Sequence, residues 1–232
     1  MNIVMLNGQN HKGSTYHIGR MIIDKTEVEK EVTEFFFPRD LDHFCQGCYN
    51  CIEDAARCPF YTEKQRIIDA LDKADVIVVT SPTYCLNMTA SLKAFFDLTF
   101  DTWMTHRPLK SMFNKRAVIV STSAGASTGS TIKPIRKALF YMGIPSVTEY
   151  GLAVQAMNWE GVSAAKKTEI DKAAAKIAKK ISCPSRPRVG IRTRAMFFMM
   201  GLMQKKGWNS SPVETEYWKS NGWLDGQKPW NI

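Results

Sequence analysis

The chain has 232 residues, of which 44% are hydrophobic, and it carries a formal net charge of +9. It is long enough to bury a sizeable core, and its longest apolar run, Ala195 to Met200, is too short to span a bilayer. Met1 leads straight into a predicted strand with no sign of a signal peptide, so we expect a cytoplasmic protein. In that compartment, six cysteines favour free thiols or metal ligands over a disulfide framework.

The positive charge is concentrated in the last third of the chain. Between Ser182 and Gly207 there is no acidic residue, and the basic ones are Arg186, Arg188, Arg192, Arg194, Lys205 and Lys206. Such a segment is either an ordinary solvated surface or a field that attracts an anionic cofactor such as NADPH or an acidic redox partner. No nucleic-acid reading module is recognisable, so we expect no nucleic-acid partner.

The first predicted element is an apolar strand from Asn2 to Leu6. The loop NGQNHKGST follows it, and Ile18, Met21 and Ile22 then repeat at helical spacing. Small and hydroxyl residues before a helix can turn backbone N–H groups and hydroxyls toward a phosphate, and here they are Gly13, Ser14 and Thr15. The alternative is an ordinary strand-to-helix turn.

A second strand is predicted from Glu31 to Phe37, and a cysteine-rich loop, FCQGCYNCIEDAARCPF, comes after it. Its four cysteines are Cys45, Cys48, Cys51 and Cys58. Four soft thiolates in one short loop suit a [4Fe–4S] cluster or, less well, zinc. The alternative is a loop of reduced thiols.

The centre of the predicted fold is a strand of β-branched residues from Val76 to Val79, preceded by an amphipathic helix from Tyr61 to Lys73. A β-branched run without alternation is typical of a strand that is buried on both faces of a parallel sheet. Ser81-Pro82 ends this strand, and a helix is predicted from Met88 through Thr99. The intervening turn, Pro82 to Asn87, should lie at the sheet edge where open α/β folds bind ligands.

The remaining elements continue the alternation of strands and helices. We predict a connecting loop that contains Trp103, His106 and Pro108, and a structural role for His106. Two further strands are predicted, from Ala117 to Thr122 and from Val147 to Val154. The predicted helices are one that carries Ile132, Ile135, Leu139 and Met142 and one from Ser163 to Ile181. Five strands alternating with helices predict a doubly wound parallel α/β domain over residues 1–181.

Residues 182–232 are predicted to form a separate tail, because Pro and Arg mark a boundary after Cys183. The segment Ala195 to Met203 is apolar almost all round, so a helix there must be buried against the domain, a second subunit or a membrane surface. We expect the second subunit, and hence a homodimer or tetramer. The aromatic residues of YWKSNGW, Tyr217 to Trp223, are predicted to be packing groups.

Three loops of the chain together resemble those of the flavodoxin-like, FMN-binding NAD(P)H-dependent oxidoreductases. One of them is SAGASTGS, which follows the strand from Ala117 to Thr122 and resembles the family loop that wraps the flavin ring. SPTYCLNMTASLKAFFD is similar to the loop after strand 3 of that family, and it matches at Ser81, Pro82, Tyr84, Leu92, Lys93, Phe95 and Asp97. It departs at Cys85 and Leu98, where the family usually has a bulky aromatic and an Arg. The first loop resembles the phosphate loop of the family, with Gln9 and His11 in place of the usual Ser and Arg. The resemblance covers about Met1 to Ile181, and YWKSNGW resembles the tail of some clostridial-type members.

The resemblance implies a flavodoxin-like five-stranded sheet of order 2-1-3-4-5, with FMN across the carboxyl ends of strands 1, 3 and 4. It implies that FMN contacts Gln9, His11, Gly13, Ser14, Thr15, Pro82, Thr83, Tyr84, Cys85, Leu86, Asn87, Met88, Ser123, Ala124 and Gly125. NADH or NADPH would reduce flavin N5, and the electrons would pass to a quinone, a nitro or azo compound, or another small acceptor, with no catalytic side chain required.

Three other functions remain open at this stage. The cysteine spacing resembles that of iron–sulfur flavoproteins, which pair FMN with a [4Fe–4S] cluster and take single electrons from ferredoxin. Many family members carry a similar segment without a cluster, which favours FMN alone. A non-enzymatic FMN carrier is disfavoured because such carriers tend to be acidic, and a metal-binding regulator would hold zinc and no flavin.

Overall fold

A computed structural model describes residues 1–125, 127–209 and 211–231 and shows a five-stranded parallel sheet of order β2-β1-β3-β4-β5. The predicted fold class and strand order are therefore confirmed. The strands are β1 (Asn2–Asn7), β2 (Glu31–Phe36), β3 (Val76–Thr80), β4 (Arg116–Ser123) and β5 (Ser146–Ala153).

Helices cover both faces of the sheet and divide the core into two layers. They are α1 (Ser14–Asp24), α2 (Tyr61–Lys73), α3 (Ala90–Leu98), α4 (Phe100–Trp103), α5 (Gly129–Tyr141), α6 (Ala164–Ile181), α7 (Ile191–Lys205) and α8 (Pro212–Ser220). One layer includes Leu71 of α2, Phe95 of α3 and Leu139 of α5, and the other includes Ile22 of α1 and Ile177 of α6. All five residues of β3 are buried, as its unbroken β-branched run predicted.

The region after β3 differs from the prediction at two points. The helix begins at Ala90 rather than Met88, because Asn87 Oδ1 and Ser81 Oγ accept hydrogen bonds from the N–H groups of Met88 and Thr89 and hold both residues outside the helix. Trp103 ends the short helix α4 and does not lie in a loop. The loop prediction for Trp103 was wrong because a second helix follows directly after Thr99, the residue between α3 and α4. Thr99 O accepts a hydrogen bond from Thr102 Oγ1 in the first turn of that helix.

The predicted strand ends differ from the observed strand ends by about one residue. Asn7, Thr80 and Ser123 were predicted to lie outside strands, but each extends its strand. These residues are polar and buried, and the backbone pairing between neighbouring strands holds them in the ladder. β2 ends at Phe36 rather than Phe37, and β5 runs one residue earlier than predicted.

The tail packs partly on its own domain. Phe197, Trp218 and Trp223 are buried in one aromatic cluster with Phe113, which confirms the packing role predicted for the aromatic residues of the tail. The apolar helix is longer than predicted, from Ile191 to Lys205, and one of its faces is exposed in the single chain, so its burial against a second subunit stays a prediction. Within the described ranges, no helix combines the length and the apolar character needed to cross a membrane.

Candidate functional site

Three loops meet at the carboxyl ends of β1, β3 and β4. Gly8 N–H donates a hydrogen bond of 2.7 Å to Thr80 O, which joins the first loop to the end of β3. Thr83 N–H donates to Thr122 O at 2.8 Å, and the hydroxyls of Thr15 and Thr122 lie 2.6 Å apart. The three predicted motifs therefore form one surface at one sheet edge.

The first loop ends at the amino terminus of α1. Gly13 is the N-cap residue in an extended conformation, with no side-chain capping bond and no acidic residue in the first helical turn. Helical geometry leaves the first N–H groups of α1 without partners inside the helix. A Cβ at Gly13 would lie 3.1 Å from both Gln9 Nε2 and His11 Nε2, so glycine lets the loop fold closely over the helix end. This arrangement favours an anion.

The second loop presents a tight turn from Tyr84 to Asn87. These two residues exchange backbone hydrogen bonds of 3.0 Å, and the two between them have left-handed backbone angles, with φ of 47° at Cys85 and 61° at Leu86. Neither residue is glycine, so each stores backbone strain of about 1–2 kcal/mol. Three consecutive side chains, Tyr84, Cys85 and Leu86, are exposed on the turn, and Tyr84 Oη donates to Gln9 Oε1 at 3.1 Å.

Buried hydroxyl groups hold this turn in place from beneath. Ser81 Oγ accepts from Thr89 N–H at 3.1 Å, and Thr131 Oγ1 donates to Thr83 Oγ1 at 2.9 Å. Pro82 and Met88, at the two ends of the predicted loop, are both buried. The loop is therefore preorganised before any ligand binds.

The third loop follows β4. Ser123 is 8% exposed, and its carbonyl accepts a hydrogen bond of 2.9 Å from Val154 N–H, whereas Ala124 and Gly125 are exposed beyond the strand. Ala126, in the middle of SAGASTGS, lies outside the described residues. Residues 7–15, 80–91 and 121–131 contain no Asp or Glu, so the surface formed by the three loops carries no carboxylate of its own to oppose a phosphate.

The four cysteines of the second-strand loop line a separate cavity of about 280 Å³. Cys45 and Cys48 are exposed, whereas Cys51 and Cys58 are partly buried. Burial and, next, the nearby Asp101 charge raise the pKa of Cys51, which favours the thiol over the metal-binding thiolate. Across residues 1–125, 127–209 and 211–231, no three Cys, His, Asp or Glu side chains are grouped so that they could hold a metal ion. The thiols as arranged do not fit a preformed cluster site.

Sequence reasoning missed a buried ion pair beside this cavity. Lys64 Nζ lies 2.7 Å from Asp101 Oδ2, with side chains 1% and 5% exposed. Lys64 stands in the amphipathic helix α2, where a lysine ordinarily indicates the solvent face, so the pattern carried no signal of its burial. Arg107 Nη2 donates to Cys51 O at 2.7 Å, and the Asp101 charge acts on the same residue. Both side chains therefore lie near the cysteine loop.

The loop that contains His106 was expected to be structural, and the structure places it against the tail. His106 Nδ1 lies 3.1 Å from Oε2 of the fully buried Glu214, and His106 O accepts a hydrogen bond of 2.7 Å from Trp218 Nε1. Ser211 Oγ donates to Glu53 Oε2 at 3.0 Å, so α8 is also tied to the cysteine loop.

A doubly wound parallel sheet of order β2-β1-β3-β4-β5 defines the flavodoxin-like class of folds. Within that class, residues 1–158 match the model of the NADPH-dependent FMN reductase family, and the chain belongs to that family.

Several relatives carry names consistent with this family. An FMN-dependent NADH:quinone oxidoreductase of Colwellia psychrerythraea is 34% identical over 89 residues, which is 35% of this chain and 40% of the relative. An iron–sulfur flavoprotein of Methanocaldococcus jannaschii is 28% identical over 142 residues, 58% of this chain and 69% of the relative. The FMN complex of a Bacillus anthracis FMN-dependent NADH-azoreductase has a TM-score of 0.57 at 12% identity, covering 77% of this chain and 100% of that one, and shows the shared fold. This chain thus spans less than half the length of its quinone-reducing relative.

Proposed function

We propose that the protein binds FMN on the three-loop surface and oxidises NADH or NADPH, passing the electrons to a small acceptor. The observation that carries this proposal is the junction of the first and second loops, where Tyr84 Oη bonds Gln9 Oε1 beside the uncapped end of α1. A phosphate binder and an exposed turn for a planar ring are thereby held together at the switch point between β1 and β3.

Each loop has a distinct role in this proposal. The N-terminus of α1 holds the phosphate through Gly13, Ser14 and Thr15, with Gln9 and His11 at the edge of the same loop. The flavin ring lies along the turn of the second loop and is enclosed on the other side by the third loop. The second loop supplies Pro82, Thr83, Tyr84, Cys85, Leu86, Asn87 and Met88, and the third loop supplies Ser123, Ala124 and Gly125. When bound, FMN supplies two-electron chemistry at its N5 atom, while the protein supplies placement and electrostatics.

A quinone is the acceptor that we propose first, with nitro and azo compounds as the alternatives. Its support is the name of the Colwellia relative, of which the match covers 40%. The side chains on the second-loop turn, Tyr84, Cys85 and Leu86, are largely apolar and exposed, which leaves an apolar surface at the edge of the flavin ring for a flat aromatic acceptor.

The iron–sulfur alternative is supported by the Methanocaldococcus relative and by the shared cavity of Cys45, Cys48, Cys51 and Cys58. Against it stand the exposure of two of the thiols and the lack of a metal-holding group within the described ranges. We therefore propose FMN as the resident cofactor without a [4Fe–4S] cluster, and without ferredoxin as a partner.

The substitution His11→Glu tests where the phosphate lies. His11 is exposed, so the variant should fold, and a carboxylate near the start of α1 should leave the apoprotein as stable as before or stabilise it by about 0.3–1 kcal/mol. The same carboxylate should repel the phosphate and raise the FMN dissociation constant at least about tenfold, measured by quenching of flavin fluorescence. Thr168→Glu on the exposed face of α6 is the matched control and should leave the affinity unchanged. Equal FMN affinity in both variants would show that the phosphate of FMN does not bind at this loop.

A further inference from the structure

Helix α7 exposes an apolar stripe to solvent. Ile191, Phe198 and Leu202 are 82%, 65% and 43% exposed and recur at the spacing that places residues on one side of a helix. Met199, beside the stripe, is 53% exposed. The opposite side of the helix packs inward through Phe197. We call the exposed side the α7 face.

Basic residues border the α7 face at both ends. Arg192 and Arg194 lie near its start, and Lys205 and Lys206 lie at its end, all of them exposed. Residues 182–213 contain no Asp or Glu. Trp208 is 64% exposed just after the helix, and Lys206 Nζ lies 4.6 Å from the centre of its ring. An apolar stripe bordered by cations and an aromatic residue has the composition of an interfacial helix.

The charge pattern opposes pairing of this face with a second copy. An antiparallel pair would set Arg192 and Arg194 of one helix beside Lys205 and Lys206 of the other, and a parallel pair would set like residues together. Neither arrangement offers the segment an acidic partner, and like charges at an interface are unfavourable. The occupant that complements the α7 face must be apolar at its centre and anionic around it.

We propose that the α7 face binds the surface of a bilayer that contains anionic lipids. Phe198 and Leu202 enter the boundary between headgroups and acyl chains, and the four cations lie among the phosphates. A groove of about 390 Å³ continues the face between Leu202 and Trp223, with Lys205 and Lys228 at its rim and Asp225 as its acidic residue. This groove offers further apolar surface to an inserted acyl chain.

The test measures how the full-length protein partitions to vesicles in a sedimentation assay. Vesicles of phosphatidylglycerol and phosphatidylcholine should bind the protein, vesicles of phosphatidylcholine alone should bind it at least about tenfold more weakly, and salt should reduce the difference. Phe198→Gln/Leu202→Gln should lose binding, whereas Val28→Gln/Met104→Gln, at two exposed apolar residues elsewhere, should retain it.

A second pair of variants tests the contribution of charge. Arg192→Gln/Lys205→Gln/Lys206→Gln should weaken binding to the anionic vesicles at least about tenfold. Lys176→Gln/Lys179→Gln/Lys180→Gln removes the same charge from the exposed side of α6 and should bind like the unsubstituted chain. A far-ultraviolet circular dichroism spectrum equal to that of the unsubstituted chain establishes that each variant has folded.

Three results would overturn the lipid proposal. The first is equal partitioning to both kinds of vesicle, and the second is equal loss of binding in the face variants and their controls. The third is a dimer by light scattering that becomes monomeric with Phe198→Gln/Leu202→Gln and shows no vesicle binding, which would make the α7 face a subunit interface.

Discussion

Gly8 shows how closely the first two loops approach each other. A Cβ at this position would lie 2.7 Å from Thr89 Oγ1, 3.0 Å from Thr80 O and 3.3 Å from Leu92 Cβ. One of these atoms is a backbone carbonyl, which cannot rotate away. Ser91 Oγ also donates to Gly8 O at 3.0 Å, so the start of α3 is bonded directly to the end of β1.

Gly8→Ala should therefore destabilise the fold by about 1–3 kcal/mol through overpacking at the junction of the loops. The measurement is urea unfolding followed by circular dichroism. Gly125→Ala, where nothing lies within 4 Å of the added Cβ, is the matched control and should change stability by less than about 0.5 kcal/mol. Equal stability of the two variants would mean that the loops are free to separate.

Among the secondary-structure elements, the strands could be predicted from the sequence, whereas the contacts of the tail could not. The run from Val76 to Val79 lies between two layers of helices, so its composition alone predicted a buried strand. The segment Ala195 to Met203 is equally apolar, yet only one side of the helix finds a partner, because burial depends on which surface the tail reaches. The anchors of the tail, such as Glu214, join residues more than 100 positions apart, and no local pattern encodes them.

Tyr217 makes the attachment of the tail dependent on pH. Its hydroxyl donates a hydrogen bond of 2.8 Å to Pro108 O, and burial, with the Asp72 charge adding to it and Arg107 opposing it, raises its pKa to about 12. An unfolded tyrosine ionises near pH 10. Because the folded state holds this proton more tightly, its stabilisation is present in full below about pH 10 and is lost as the pH rises toward 12.

Tyr217→Phe should cost about 1 kcal/mol of stability at pH 8 through the lost hydrogen bond. It should also remove part of the loss of stability of the unsubstituted chain between pH 10 and 12. Urea unfolding at several pH values, followed by tryptophan fluorescence, measures both effects. Tyr49→Phe, at a largely exposed tyrosine, is the control. A Tyr217→Phe variant with the alkaline profile of the unsubstituted chain would show that this proton is not held by the fold.

For the whole molecule, alternation of strands and helices predicted a doubly wound sheet, and the resemblance of the loops supplied the strand order that the structure confirms. The positions of the three loop motifs followed from that topology, because carboxyl ends of parallel strands lie at one edge. The left-handed turn at Cys85 and Leu86 did not follow, since neither residue is of the type that ordinarily adopts positive φ. It is strained where the proposed flavin ring lies, as expected at a functional site.

In the proposed reaction, this chain carries electrons from NAD(P)H through FMN to an acceptor. Its most direct test is the visible absorption spectrum of anaerobically purified protein, reconstituted with FMN, during a titration with NADH or NADPH and then with a quinone. We expect two resolved flavin bands without the broad shoulder of an iron–sulfur cluster, bleached by the nicotinamide and restored by the quinone. A protein that takes up no FMN, or whose flavin bands persist in excess NADH and NADPH, would contradict the account.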